Sequence, residues 1–174
     1  MKSKGSPISK LLEDLYRYKL WANSELLAQM LTVDASKHEN DLHTAIRILN
    51  HTYVVDRIFS GHLTGTPSLY KATNTEETPT LDNLTKSIRN SDSMYLDYVA
   101  GLTSSALAES IDFKFTDGDS GSMTRSEILA HLINHGSYHR GAAGRILAQL
   151  SIAPPKDTFT AFIHRLEPRR RMRN

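Results

Sequence analysis

Four stretches of this chain, each roughly twenty residues or a little more, carry apolar residues every three or four positions. That is the period of a helix with one buried face. The first runs from about Ser9 to Met30, with Leu11, Leu12, Leu15, Ala22, Leu26 and Met30 on one side and Pro7 just upstream. The second runs from about Asn40 to Leu63 and ends in SGHLTGTP. The third runs from about Thr80 to Leu102, and the fourth from about Thr124 to Leu150. Thr124 followed by Glu127 reads as a capping box, in which side chain and backbone satisfy each other's open hydrogen bonds. Four such helices with short or medium connections predict an all-α four-helix bundle.

Between the third and fourth segments, IDFKFTDGDSGSMT alternates Ile111, Phe113 and Phe115 with polar residues around an Asp117-Gly118 turn. This predicts a short β-hairpin between helices 3 and 4. DTFTAFIHRL, after Pro154-Pro155, is apolar enough to pack on the body, but its pattern does not choose between helix and strand. With 174 residues, no internal repeat and no linker of low complexity, the expectation is one domain over 1–174. The bundle would span about 8–150, with a C-terminal extension over 151–174.

The fourth segment holds an anomaly. Ile128, Leu132, His135, His139, Ala143, Ile146 and Leu150 follow one another in steps of three or four, so two histidines stand where leucines belong. Histidine is a middling helix former and is seldom fully buried, so a second purpose is implied. The second segment repeats the pattern in Ile48, His51, Val55, Ile58 and His62. Imidazoles four residues apart on one helix converge on a common point, and His51 interrupts its own stripe near the middle. His131 lies about 40° to the side of the His135 stripe, where it can border the same face. His62 stands about 16 Å along the axis from His51 and belongs to no common site with it. His38, His43 and His164 fall outside both stripes.

Three neutral imidazoles leave a coordination position open, as catalytic rather than structural metal sites do. The chain has no cysteine, so any metal would rest on nitrogen and oxygen donors. Zinc or nickel suits such a set first, with iron, cobalt, manganese or copper also within its range. The same absence removes a thiolate nucleophile and a disulfide frame. Net charge is +2, and Arg169, Arg170, Arg171 and Arg173 supply four of the cations, leaving the rest slightly acidic. No basic stripe interleaves with aromatics, which argues against nucleic acid as a partner. No run of roughly 18 apolar residues is present for a membrane span, and the N-terminus lacks the apolar core of a signal peptide. The expectation is a cytoplasmic protein.

The chain resembles the DinB/YfiT-like metalloenzyme family over roughly Ile8 to Leu150. Three places carry the resemblance: YRYKLWANSELL (Tyr16–Leu27), the histidine of LNHTYVVDRIFSGHLTG, and HLINHGSYHRGAAG with its His-Arg-Gly. The resemblance implies a four-helix bundle, a divalent metal held by His51, His135 and His139, and a homodimer. It also implies a small-molecule substrate, because relatives include transferases and an isomerase that use low-molecular-weight thiols. Tyr138 stands where many members carry another histidine, and Ala142 where many carry glutamine.

Tyr138 is a phenolic proton donor or a packing residue. Arg140, about 100° from His139, is expected to pair with a carboxylate or with an opposing subunit. Asp56 and Glu127 are expected partners for the imidazoles, and Trp21 and Asn23 for the pocket wall. The function expected is a metal-dependent enzyme, either a thiol-dependent S-transferase or a hydrolase. The alternative is a metal-binding stress-related or scaffold protein without turnover.

Overall fold

The computed structural model describes residues 7–172, so Arg173 of the basic tail and residues 1–6 lie outside the described residues. Four long helices form the body: α1 (Pro7–Met30), α2 (Glu39–Thr64), α3 (Leu81–Ala100) and α5 (Arg125–Gln149). A single turn, α4 (Ser104–Leu107), precedes the hairpin of β1 (Ser110–Lys114) and β2 (Ser120–Thr124), and α6 (Phe159–Leu166) follows the bundle. The four long helices make a closed ring of neighbours in the order α1, α3, α2, α5.

Their ends follow local chemistry. Thr80 caps α3 by accepting from Asn83 N, and Thr124 with Glu127 closes the expected capping box on α5. Gly65 ends α2 at φ 70°, a left-handed conformation that glycine adopts without a Cβ penalty. The hairpin is antiparallel, with Phe113 opposite Gly121. A Cβ at Gly121 would lie 2.8 Å from Phe115 and 2.9 Å from Phe113, so both rings lie over the strand only because that side chain is missing.

Two apolar clusters fill the bundle. One, at the hairpin end, holds Leu12, Tyr16, Phe59, Tyr95, Val99 and Leu132; the other holds Leu26, Met30, Leu49, Leu84, Ala143 and Leu147. Membership of the clusters shows that α1 and α5 run one way and α2 and α3 the other. Residues 65–80 therefore do not turn directly into an antiparallel neighbour. They return along the bundle to start α3 at the end where α2 began.

A buried polar layer separates the clusters. Lys19 Nζ donates to Asp56 Oδ2 at 2.6 Å and to Asp92 Oδ1 at 2.7 Å; Asn23 Nδ2 donates to Asp92 Oδ2 at 2.7 Å. Arg140 Nη1 reaches Asn23 Oδ1 at 3.2 Å. Each long helix contributes to this layer. Buried charges cost several kcal/mol apiece unless paired and hydrogen-bonded, so the layer favours the one alignment of helices that pairs them.

The C-terminal segment docks through both chemistries. Asp157 accepts from Arg140 Nε at 2.7 Å and from the Tyr18 hydroxyl. Beyond it Phe162 is buried against Tyr18 and Ala22, with Trp21 at the edge. Arg169, Arg170 and Arg171 are exposed. Among the described residues, no helix is long and apolar enough to cross a membrane.

Candidate metal centre

The histidines of the two stripes meet at the level of the polar layer. His51 comes from the middle of α2, and His135 and His139 from successive turns of α5. One ring nitrogen of each lies within 4.8 Å of the others, and all three residues are half-buried. Ring centroids are 5.0 Å apart for His51 and His135, 4.7 Å for His51 and His139, and 4.5 Å for His135 and His139.

The orientation of His51 is set by the backbone. Its Nδ1 is 2.7 Å from the Thr73 carbonyl oxygen. A carbonyl only accepts, so Nδ1 carries the proton and Nε2 keeps its lone pair. That Nε2 faces His135 Nε2 at 3.1 Å. Two imidazole nitrogens on one tetrahedral ion, each bonded at ~2.0–2.1 Å, would sit about 3.3 Å apart. The donor set and its spacing therefore fit a divalent ion of the zinc or nickel type. A hydrogen bond from Nδ1 to an oxygen is also the usual way that a ligating imidazole is held in place.

The electrostatics keep the ligand lone pairs free. Burial pushes His135 down to about 3, with the charges of His139, His51, His131 and Lys19 acting in the same direction. Burial, and then His51, lowers His139 as well. Neutral imidazole is the form that binds metal. His135 Nδ1 is buried with no hydrogen-bond partner among the described residues.

His131 stays out of the cluster of three. Its ring packs on His135 at 5.5 Å and on Phe59 at 5.3 Å. Phe59 in turn meets His62 at 5.6 Å, and His62 stacks on Phe113 at 5.0 Å. A row of rings thus leads from the three histidines to the hairpin, and burial lowers both His131 and His62. His43 pairs with Thr78, and His164 with the Thr160 carbonyl.

Other expected site residues lie elsewhere. Asp56 does not meet an imidazole: its Oδ2 accepts from Lys19 Nζ, and its Oδ1 is buried with no partner among the described residues. Glu127 is spent on the capping box, accepting from Thr124 N at 2.7 Å. Asn23 belongs to the polar layer and Trp21 to the α6 contact, where its ring meets Phe162 at 5.7 Å. Tyr138 is not packed in the core. It is 77% exposed, with its ring edge-on to His139 at 5.1 Å. Arg140 pairs with the carboxylate of Asp157 at 2.7 Å.

Gly136 joins the centre to the layer beneath it. A Cβ there would meet Arg140 Nη1 at 3.1 Å and Lys19 Cε at 3.5 Å. A methyl group there would press on the Arg140 guanidinium by a few tenths of an ångström and would sit in ordinary contact with Lys19. Sequence reasoning missed Lys19 and Asp92, although each interrupts an apolar stripe just as the histidines do. It also missed Thr73, whose contribution is a main-chain oxygen and leaves no mark on residue type.

Comparison with known proteins finds relatives over most of the chain. The family model described as "DinB family" matches residues 1–170. Protein DinB of Bacillus subtilis (strain 168) is 25% identical over 164 residues, spanning 86% of this chain and 91% of that protein. No solved structure matches.

Proposed function

This chain belongs to the DinB family, and on that premise we propose that it is a metalloenzyme whose His51, His135 and His139 hold one divalent ion for chemistry on a small molecule. The observation that carries the reading is the His51 ring, held by the Thr73 carbonyl so that its bare Nε2 faces His135. Zinc or nickel is the expected ion, with iron, cobalt, manganese or copper as further candidates for an imidazole set. When bound, such an ion supplies Lewis acidity, bringing the pKa of a water or of a cosubstrate thiol toward neutrality.

The protein's own part is to hold and to orient. Burial lowers His135 to about 3 and moves His139 in the same direction, and the His51 Nδ1–H donates to the Thr73 carbonyl. His51, His135 and His139 are each partly exposed, so a small molecule can reach the cluster from solvent. There the exposed phenol of Tyr138 supplies a proton donor at the rim. The chain has no cysteine, so a sulfur nucleophile has to arrive with a cosubstrate. In transfer, that sulfur forms a bond to an electrophilic carbon as the leaving group departs; in hydrolysis, a water oxygen does so.

The test is turnover by zinc- or nickel-loaded protein with a panel of low-molecular-weight thiols and a fluorogenic electrophile, beside a panel of activated esters and amides. The expected result is a rate that chelation abolishes, re-addition of metal restores, and His139→Ala lacks. Fully loaded protein that turns over neither panel contradicts the enzymatic reading and leaves a metal-binding scaffold.

A further inference from the structure

Because α2 and α3 run in the same direction, residues 65–80 travel back along the bundle and pass its middle at Thr73. The stretch around Thr73 is stitched to the turn of α2 that carries His51. Asn50, buried beside His51 in the chain, donates through Nδ2 to Asn74 Oδ1 and, at 2.6 Å, to Thr75 Oγ1. Asn74 Nδ2 donates back to the Arg47 carbonyl at 3.1 Å. Arg47 Nη1 donates to the Thr75 carbonyl at 2.6 Å, and Thr75 N donates to Asn74 Oδ1 at 3.0 Å. Thr75 Oγ1 closes the knot on the Glu77 carbonyl at 2.6 Å.

The segment has little else to hold it. Lys71, Ala72 and Thr73 are exposed, and no residue from 70 to 78 belongs to an apolar core cluster. Apart from Tyr70, whose ring meets Tyr53 of α2 edge-on at 6.2 Å, hydrogen bonds set where the Thr73 carbonyl points. Each uses a side-chain group that alanine lacks, and they converge on Arg47 and Asn50, one turn and one residue before His51. A neutral imidazole without a fixed partner exchanges its proton between both nitrogens, and only the Nδ1-protonated form leaves Nε2 bare.

We propose that Asn50 and Asn74 are positioning residues for His51: by clamping residues 73–75 onto α2 they keep the Thr73 carbonyl on Nδ1, and so keep Nε2 available toward His135. The consequence for metal rests on the metal reading of the cluster; the consequence for the tautomer does not.

Asn74 is the residue to change first, because it lies outside the helices and half-exposed, whereas Asn50 is buried in α2. Long-range proton–nitrogen correlation spectra of the metal-free protein read the proton on each His51 nitrogen. The expected result is an Nδ1-protonated ring in the wild type and a mixture of tautomers in Asn74→Ala. Asn74→Asp keeps the oxygen that accepts from Asn50 and Thr75 N but loses the donor to the Arg47 carbonyl, and is expected to preserve most of the wild-type tautomer. Zinc affinity, by competition with a chromophoric chelator, is expected to fall roughly 10–100-fold in Asn74→Ala. It should recover most of that loss in Asn74→Asp. Far-UV circular dichroism serves as the fold control. Wild-type tautomer and wild-type zinc affinity in Asn74→Ala would overturn the proposal. Wild-type protein that takes up no zinc would overturn the metal reading, a failure that the tautomer spectra keep separate.

Discussion

Lys19 Nζ and Asp56 Oδ2 stand 2.6 Å apart at the middle of the bundle, and Asp92 Oδ1 approaches the same nitrogen to 2.7 Å. The three side chains are 1%, 4% and 2% exposed. One cation thus serves two carboxylates from two other helices, at the level where α2 and α5 present their histidines.

Removing that cation should be costly. Lys19→Met leaves Asp56 and Asp92 buried without a counter-charge, and the expected loss is about 3–5 kcal/mol in urea unfolding. A loss below ~1 kcal/mol, the scale of an exposed pair, would show that the layer contributes little to the fold.

The same layer sets the alkaline limit. For Lys19, burial acts to lower the pKa, but Asp56 and Asp92 outweigh it and the group ends above its ordinary 10.5. Burial, aided by Asp56, raises Tyr16 and Tyr95 well above 10. All three hold their protons more tightly folded than unfolded. Their contribution is therefore complete below about pH 10 and is lost as pH rises past it. Unfolding free energy measured from pH 8 to 12 is expected to be flat and then to fall steeply, with the share of the 295 nm tyrosinate signal that belongs to Tyr16 and Tyr95 appearing only as helicity goes. Loss of that share in Tyr16→Phe and Tyr95→Phe at pH 10, with the helices intact, would contradict this.

Asp157 fastens the C-terminal segment to α5, accepting from Arg140 and from Tyr18. Asp157→Ala should release α6 and leave a buried guanidinium short of an acceptor, at a cost of about 1–3 kcal/mol. Hydrogen exchange of residues 159–166 is the direct readout. Those amides should lose protection while α2 keeps its own; unchanged protection would place the anchorage of α6 in Phe162 alone.

His131 touches His135 only ring to ring, and its nitrogens do not join the group of three. His131→Ala is therefore expected to keep its metal, with affinity changed by less than the roughly 10-fold that loss of a supporting hydrogen bond costs. A stoichiometric loss of metal in this variant would make His131 a ligand and displace one of the other three.

How much of this was legible beforehand depended on the kind of signal. His51, His135 and His139 were readable because each replaces an apolar residue at a fixed helical phase, and phase survives in sequence. Lys19 and Asp92 gave the same signal, yet phase does not say which charges share a level, because that depends on helix direction. The parallel course of α2 and α3 was not visible in the connection 65–80, which has no regular structure to read. Spacing does not place Asp56, a candidate partner for the imidazoles, and the buried Lys19 is the stronger attractor for its carboxylate. The short α6 stayed ambiguous because eight residues carry too few turns to establish a period. The Thr73 oxygen could not be read at all, since every residue has a carbonyl.

The most direct measurement is metal content by elemental analysis of untagged protein, after reconstitution, for the wild type and for His51→Ala, His135→Ala and His139→Ala. The result expected is about one divalent ion per chain in the wild type, with all three variants empty while far-UV circular dichroism still reports a helical bundle. No ion in reconstituted wild type, or a full complement in any of the three variants, would contradict the three-histidine centre.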